Sequence, residues 1–183
     1  LAILLIFWQD IVKLVKAFFL YIFKKDERKK YLKDFKYCLM IIIGSIPVGI
    51  AGILFKDKID TLSGNMQFLG FAFLLTSIML FLVKNAQGKK GDYDITIKDA
   101  CIIGLMQMVA LMPGISRSGT VLVGCLLCKL SREASLKYTF MLYFPVSAAS
   151  MILGVKDLIE AGSLSNVLLP YTLGLIASVI VTY

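Results

Sequence analysis

Apolar residues run along this chain in blocks too continuous for the alternation of a half-buried strand. Residues 35–55, 66–83, 134–155 and 168–183 are each predominantly apolar. A helix needs about 20 such residues to cross the hydrocarbon core of a bilayer. The first three blocks meet that length, and the last, at sixteen residues, is marginal. A membrane β-barrel would instead show alternating segments of about ten residues. The pattern therefore predicts an all-α polytopic membrane protein, a helical bundle forming one integral membrane domain over residues 1–183.

Two stretches depart from the spanning pattern. Over residues 9–23, Gln9, Lys13 and Lys16 recur at helical spacing against Ile11, Leu14, Val15, Phe18, Phe19 and Ile22. This is an amphipathic helix suited to lying on the membrane surface. A continuation of the preceding apolar run with snorkelling lysines is the alternative. Residues 1–8 read as the tail of a membrane helix with Trp8 at the interface. The apolar runs at both ends are cut short, so the chain is expected to be a fragment.

The second departure spans residues 99–129. Residues 99–112 give about 21 Å of helix and residues 118–129 about 18 Å. Neither crosses a core of about 30 Å. Between them lies Pro113-Gly114-Ile115-Ser116-Arg117-Ser118-Gly119-Thr120.

Composition agrees with a membrane protein: 58% of residues are hydrophobic and the net charge is +8. The basic residues cluster between apolar runs, which points to topology and lipid headgroups rather than nucleic acid. Segments 24–36, 84–98 and 129–137 hold seven, four and three Lys or Arg. Segments 56–65 and 156–166 hold only Lys56, Lys58 and Lys156. The positive-inside rule puts the first three in the cytoplasm. Two cytoplasmic ends joined by two half-length helices make residues 99–129 a re-entrant hairpin, with its tip at 113–118. Non-helical backbone at that depth is tolerated only inside protein or beside a wet cavity.

The tip carries the candidate chemistry. Arg117 is the only charged residue between 100 and 127, and an intramembrane arginine is by default a functional hypothesis. A helix starting near Ser118, capped by Ser116 or Ser118, presents free amides and a favourable dipole to an anion. Arg117 adds a planar fork matching two phosphate oxygens. The structural alternative is an arginine paired with a carboxylate or carbonyls of another helix. Gln107, two to three turns before the tip, either bonds the loop or joins two helices. There is no histidine, and Cys38, Cys101, Cys125 and Cys128 lie in or beside apolar runs. Helix packing is the preferred reading of Cys125-x-x-Cys128, so no metal ligands are assigned.

The segment from Pro113 to Ser118 resembles the second signature, P-G-x-S-R-S-x-x-T, of the undecaprenyl-diphosphate phosphatase, or bacitracin-resistance, family. The resemblance extends to Gly104 through Leu111 with Gln107, Gly124, Ser131-Arg132, the 140–145 stretch, Phe7-Trp8 and Ile46-Pro47. It implies hydrolysis of a C55 isoprenoid diphosphate to its monophosphate and inorganic phosphate, regenerating a cell-wall lipid carrier in the bacterial plasma membrane. It implies an inverted-repeat fold, of which this chain holds one half.

By the same resemblance Arg117, with Ser116 and Ser118, is catalytic, and Gly114 and Gly119 are loop formers at the substrate. The pattern's threonine would fall on Val121; this chain has Thr120 instead, carried with Gln107 as substrate-binding. The family's acidic E-x-x-x-E signature, with its serines and histidine, would precede the chain. The fragment alone is therefore expected to be inactive. Mg²⁺ or Ca²⁺ is an implied cofactor with no ligands visible here. The expected partners are a polyprenyl diphosphate and membrane lipids, and a homodimer is allowed. A transporter or flippase for a polyprenyl phosphate is the competing reading, since re-entrant hairpins and mid-membrane anion sites also serve transport.

Overall fold

The computed structural model describes residues 7–24, 27–55, 59, 61–62, 66–160 and 164–182. Among these there is no strand beyond one isolated bridge. The helices are α1 (Trp8–Phe23), α2 (Arg28–Leu54), α3 (Met66–Val83), α4 (Ile97–Val109), α5 (Arg117–Leu127), α6 (Arg132–Glu160) and α7 (Leu164–Thr182), with a short 3₁₀ turn at Asp92–Asp94.

Much of the basic segment 24–36, which lies between apolar runs, is helical. Lys and Arg are good helix formers, and residues 28–36 form the first turns of α2. α1 folds back along α2. Phe35 stacks on Tyr21 at 4.0 Å and on Phe18 at 5.5 Å between ring centroids. Further along, the Cys38 thiol donates to the Leu14 carbonyl at 3.4 Å. The amphipathic helix over 9–23 is thus a distinct helix, while the tail assigned to residues 1–8 lies largely outside the described residues. The expected outer segment 156–166 is also shortened, because α6 runs to Glu160 and α7 starts at Leu164.

Two helices, α2 and α3, are long and apolar enough to cross a membrane among the described residues. They turn large apolar side chains outward: Ile53 is 74% exposed and Leu82 76%. Contiguous apolar surface of that kind marks contact with lipid or another apolar partner.

The core forms where α2, α4 and α6 meet. A Cβ built on Gly104 would lie 2.6 Å from the Gly44 carbonyl oxygen and 3.1 Å from Pro47 Cγ. One on Gly44 would lie 3.0 Å from Leu142 and 3.1 Å from the Tyr138 hydroxyl. Small residues that bring backbones together are the usual glue of helices in lipid, where no hydrophobic effect drives them together. Around this crossing Tyr138, Ile103 and Leu142 are fully buried. The Tyr138 hydroxyl donates to the Met40 carbonyl at 2.6 Å, which satisfies its polar tip.

Polar contacts gather at one end of the bundle. Thr96 and Asp99 form a capping box at the start of α4. Both Asp99 oxygens accept from the Lys90 ammonium, at 3.0 and 2.8 Å. The Lys90 amide donates to the Lys129 carbonyl at 3.1 Å, and the Ser131 amide donates to the Lys90 carbonyl at 2.9 Å. Lys137 on α6 reaches Asp10 and Asp92 at 3.3 and 3.4 Å. The chain entering α4 is therefore zipped to the chain leaving α5.

Candidate functional site

The α4–α5 hairpin is shorter than the sequence suggests at its first arm and starts earlier at its second. α4 ends at Val109 and α5 begins at Arg117. Their 13 and 11 residues give about 20 and 17 Å of helix. The turn between them is fixed by packing on α3. Gly114 has φ +86°, a left-handed conformation that favours glycine. A Cβ there would also lie 3.0 Å from Ala72 and 3.1 Å from the Leu69 carbonyl oxygen. The Ser116 amide donates to the Thr76 hydroxyl at 3.3 Å, and that hydroxyl donates to the Ala72 carbonyl at 3.0 Å. Thr76 thus anchors the tip, a role invisible in the residue pattern because only tertiary packing brings α3 there.

Ser116 is the N-cap of α5, its hydroxyl oxygen accepting from the Gly119 amide at 3.2 Å. The Thr120 amide bonds the Ser116 carbonyl. The amides of Arg117 and Ser118, in the first turn, have no helical carbonyl to bond. Their positive end of the dipole opens beside a cavity of about 260 Å³ lined by Gln107, Arg117, Ser118, Val121, Thr139, Phe140 and Tyr143.

Three of the sequence-selected residues, Gln107, Arg117 and Ser118, line this cavity together. Gln107 is 1% exposed, and neither its amide nitrogen nor its oxygen has a partner. Among the described residues it therefore neither bonds the loop nor joins two helices. A buried unpaired amide costs about 1–3 kcal/mol, so this one calls for a ligand or water. Arg117 makes no ion pair among the described residues, and its guanidinium sits 5.8 Å from the centre of the Tyr143 ring. The structural alternative of a carboxylate partner finds no support there.

Thr120 is placed differently from the expectation. It is buried at 1% exposure, and its hydroxyl donates to the Ser116 carbonyl at 2.8 Å. A threonine at this position satisfies itself on its own helix, so it sits outside the cavity lining. Gly119 lies against the cap, where a Cβ would be 3.1 Å from the Ser116 hydroxyl oxygen. Tyr143, Thr139 and Phe140 join the lining from α6 and were not singled out for chemistry. The Thr139 hydroxyl is already given to the Ser135 carbonyl.

A guanidinium, a carboxamide, a hydroxyl and helix amides suit an oxyanion. No carboxylate lines the cavity, and among the described residues no three of His, Cys, Asp and Glu converge. These donors do not fit a hard divalent cation, which takes oxygen ligands such as carboxylates, so no step is routed through one.

Comparison with known proteins gives one family. The family model described as "Bacitracin resistance protein BacA" matches residues 1–183. Undecaprenyl-diphosphatase 2 of Bacillus thuringiensis (strain Al Hakam) is 39% identical over 183 residues, covering 100% of this chain and 67% of the relative. Undecaprenyl-diphosphatase 1 of Bacillus licheniformis is 40% identical over 184 residues, again 100% and 67%. The undecaprenyl-diphosphatase of Oceanobacillus iheyensis is 36% identical over 185 residues, covering 100% of this chain and 66% of the relative. The chain thus spans about two thirds of the length of these relatives.

Proposed function

The chain belongs to the bacitracin resistance protein BacA family, and on that premise we propose that it hydrolyses undecaprenyl diphosphate to undecaprenyl phosphate and inorganic phosphate. The observation that carries the reading is Gln107 and Arg117 beside one cavity, among the described residues the first buried without a partner and the second without a counter-ion. Both are waiting for the same kind of group, an oxyanion.

In this reading the diphosphate enters between the start of α5 and the α6 wall. Arg117 takes two phosphate oxygens, the amides of Arg117 and Ser118 take a third, and Gln107 donates from behind. Water attacks the terminal phosphorus, the bond to the bridging oxygen breaks, and undecaprenyl phosphate leaves. Charge builds on the phosphoryl oxygens and on the bridging oxygen. Preorganised donors in a water-poor site stabilise such charge without reorganising. Ser116 acts by capping α5, and Gly114 by letting the tip turn. The acid–base groups that the family's acidic signature implies are not among the residues lining this cavity; this chain contributes the half that holds the phosphate.

Residues 99–129 form a re-entrant hairpin in the bacterial plasma membrane in this account, one half of an inverted repeat within a multi-pass bundle. The backbone zip between Lys90 and residues 129–131 supports it, because it keeps both ends of the hairpin on one side. α1 lies at the membrane surface in the same reading, with Lys16 toward headgroups and Lys13 paired with Asp34.

The test is full-length protein in liposomes carrying undecaprenyl diphosphate, with released inorganic phosphate as the readout. Phosphate release with one lipid monophosphate formed per turnover is expected. Lipid transfer between leaflets without phosphate release would favour the transporter reading instead.

A further inference from the structure

Arg117 presents a problem that hydrolysis alone does not solve. It leaves the first turn of α5 half-buried, with no carboxylate beside it among the described residues. A carboxylate would hold it in place but would occupy the donors that a phosphate needs. Its observed neighbour is an aromatic face: the guanidinium carbon lies 5.8 Å from the Tyr143 ring centroid. A cation over such a face, within about 6 Å, is held by the ring's quadrupole, and that attraction uses none of the five N–H donors.

We propose that Tyr143 is a positioning residue for Arg117, holding the guanidinium over the cavity by its ring face and leaving the whole fork free for phosphate. The proposal rests on the diphosphatase reading of the site. The wall that carries Tyr143 is well supported. Phe140, one turn earlier on α6, stacks on Phe7 of the α1 entry at 5.5 Å, and Leu142 beside it is fully buried. Tyr143 itself is 43% exposed, so it is not a core residue, and truncating it does not open a cavity in the packing. Its ring lines the same cavity as Arg117.

The experiment uses full-length protein and inorganic diphosphate as the probe, titrated by calorimetry, in Arg117 and Arg117→Gln backgrounds. Tyr143→Leu is expected to weaken binding about tenfold in the Arg117 protein, the order of a partly desolvated cation–π contact. Tyr143→Phe, which keeps the ring, is expected to bind as the wild type does. In the Arg117→Gln background Tyr143→Leu is expected to change nothing, since a ring acting through Arg117 has nothing left to hold. Melting temperatures should be alike for Tyr143→Leu and the wild type. Equal losses from Tyr143→Phe and Tyr143→Leu would overturn the proposal by assigning the effect to the hydroxyl. So would an undiminished Tyr143→Leu loss in the Arg117→Gln background, or a wild type that does not bind diphosphate. A wild type that binds diphosphate yet releases no phosphate from the lipid would sink the diphosphatase reading and leave the Tyr143 result standing.

Discussion

Lys90 and Leu130 lie side by side as a two-residue parallel bridge. Forty residues of chain separate them, including all of α4 and α5, yet their backbones are bonded on both sides of Leu130, through Lys129 and Ser131. Gly88 makes the approach feasible: a Cβ there would lie 2.0 Å from the Lys129 carbonyl oxygen. The hairpin therefore enters and leaves at one end of the molecule.

That arrangement predicts a topology. Single cysteines placed at Lys89 and at Lys129, in a background without the four native cysteines, should both react with an impermeant maleimide from the cytoplasmic side only. Labelling of the two positions from opposite sides would contradict the re-entrant account.

The crossing of α2 and α4 predicts a sharp difference between glycines. Gly104→Ala pushes a methyl group into the Gly44 carbonyl and Pro47, and overpacking of this kind costs about 1–3 kcal/mol. Gly49, on the same α2, has nothing within 4 Å of a built Cβ. Gly49→Ala should be neutral or slightly stabilising, because alanine is the better helix former. Thermal melting in detergent compares the two.

Thr76 predicts an effect at a distance from the phosphate. Thr76→Val keeps the shape but leaves the Ser116 amide without its acceptor, at a cost of about 1 kcal/mol. Because that amide belongs to the cap of α5, the tip should loosen and turnover should fall several-fold. Thr76→Ser should restore it. Turnover of the full-length valine variant equal to wild type would show that the tip is held by packing alone.

The polar cluster around Asp34 predicts a loss of stability in alkali. The Tyr93 hydroxyl donates to Asp34 at 2.7 Å, and Lys13 reaches Asp34 at 3.3 Å. The bond to Asp34 raises the pKa of both Tyr93 and Lys13; burial adds to the rise for Tyr93 and opposes it for Lys13. Both groups therefore lose their protons later in the folded protein than in the unfolded chain. Their contribution is complete below the ordinary values near 10 and is lost as pH climbs through the raised ones. Wild type should lose melting temperature above about pH 10 more steeply than Asp34→Asn. Parallel curves would refute the link.

Much of this molecule is legible from residue pattern alone. Met66–Val83 is read to the residue because its ends coincide with a switch from apolar to polar chain. The two short helices around Pro113 follow from length against bilayer thickness, and side-chain chemistry narrows the cap to Ser116 or Ser118, of which the fold uses Ser116. Charge counting left the secondary structure of 24–36 open, since lysines and arginines mark a side of the membrane without excluding a helix. Thr120 was misassigned because a hydroxyl in a motif looks available until its bond to the Ser116 carbonyl is seen. Thr76 and Tyr143 could not be found in the sequence, because they come from helices brought to the tip only by the fold, 40 and 26 positions from the residues they contact.

In the proposed site the cavity beside α5 holds the substrate's phosphate through Arg117. The most direct test of that role is phosphate release from undecaprenyl diphosphate by full-length Arg117→Ala, inserted in membranes at wild-type level. A loss of at least about a hundredfold is expected, the order seen when one preorganised donor to developing charge is removed. Turnover within a few-fold of wild type would contradict it.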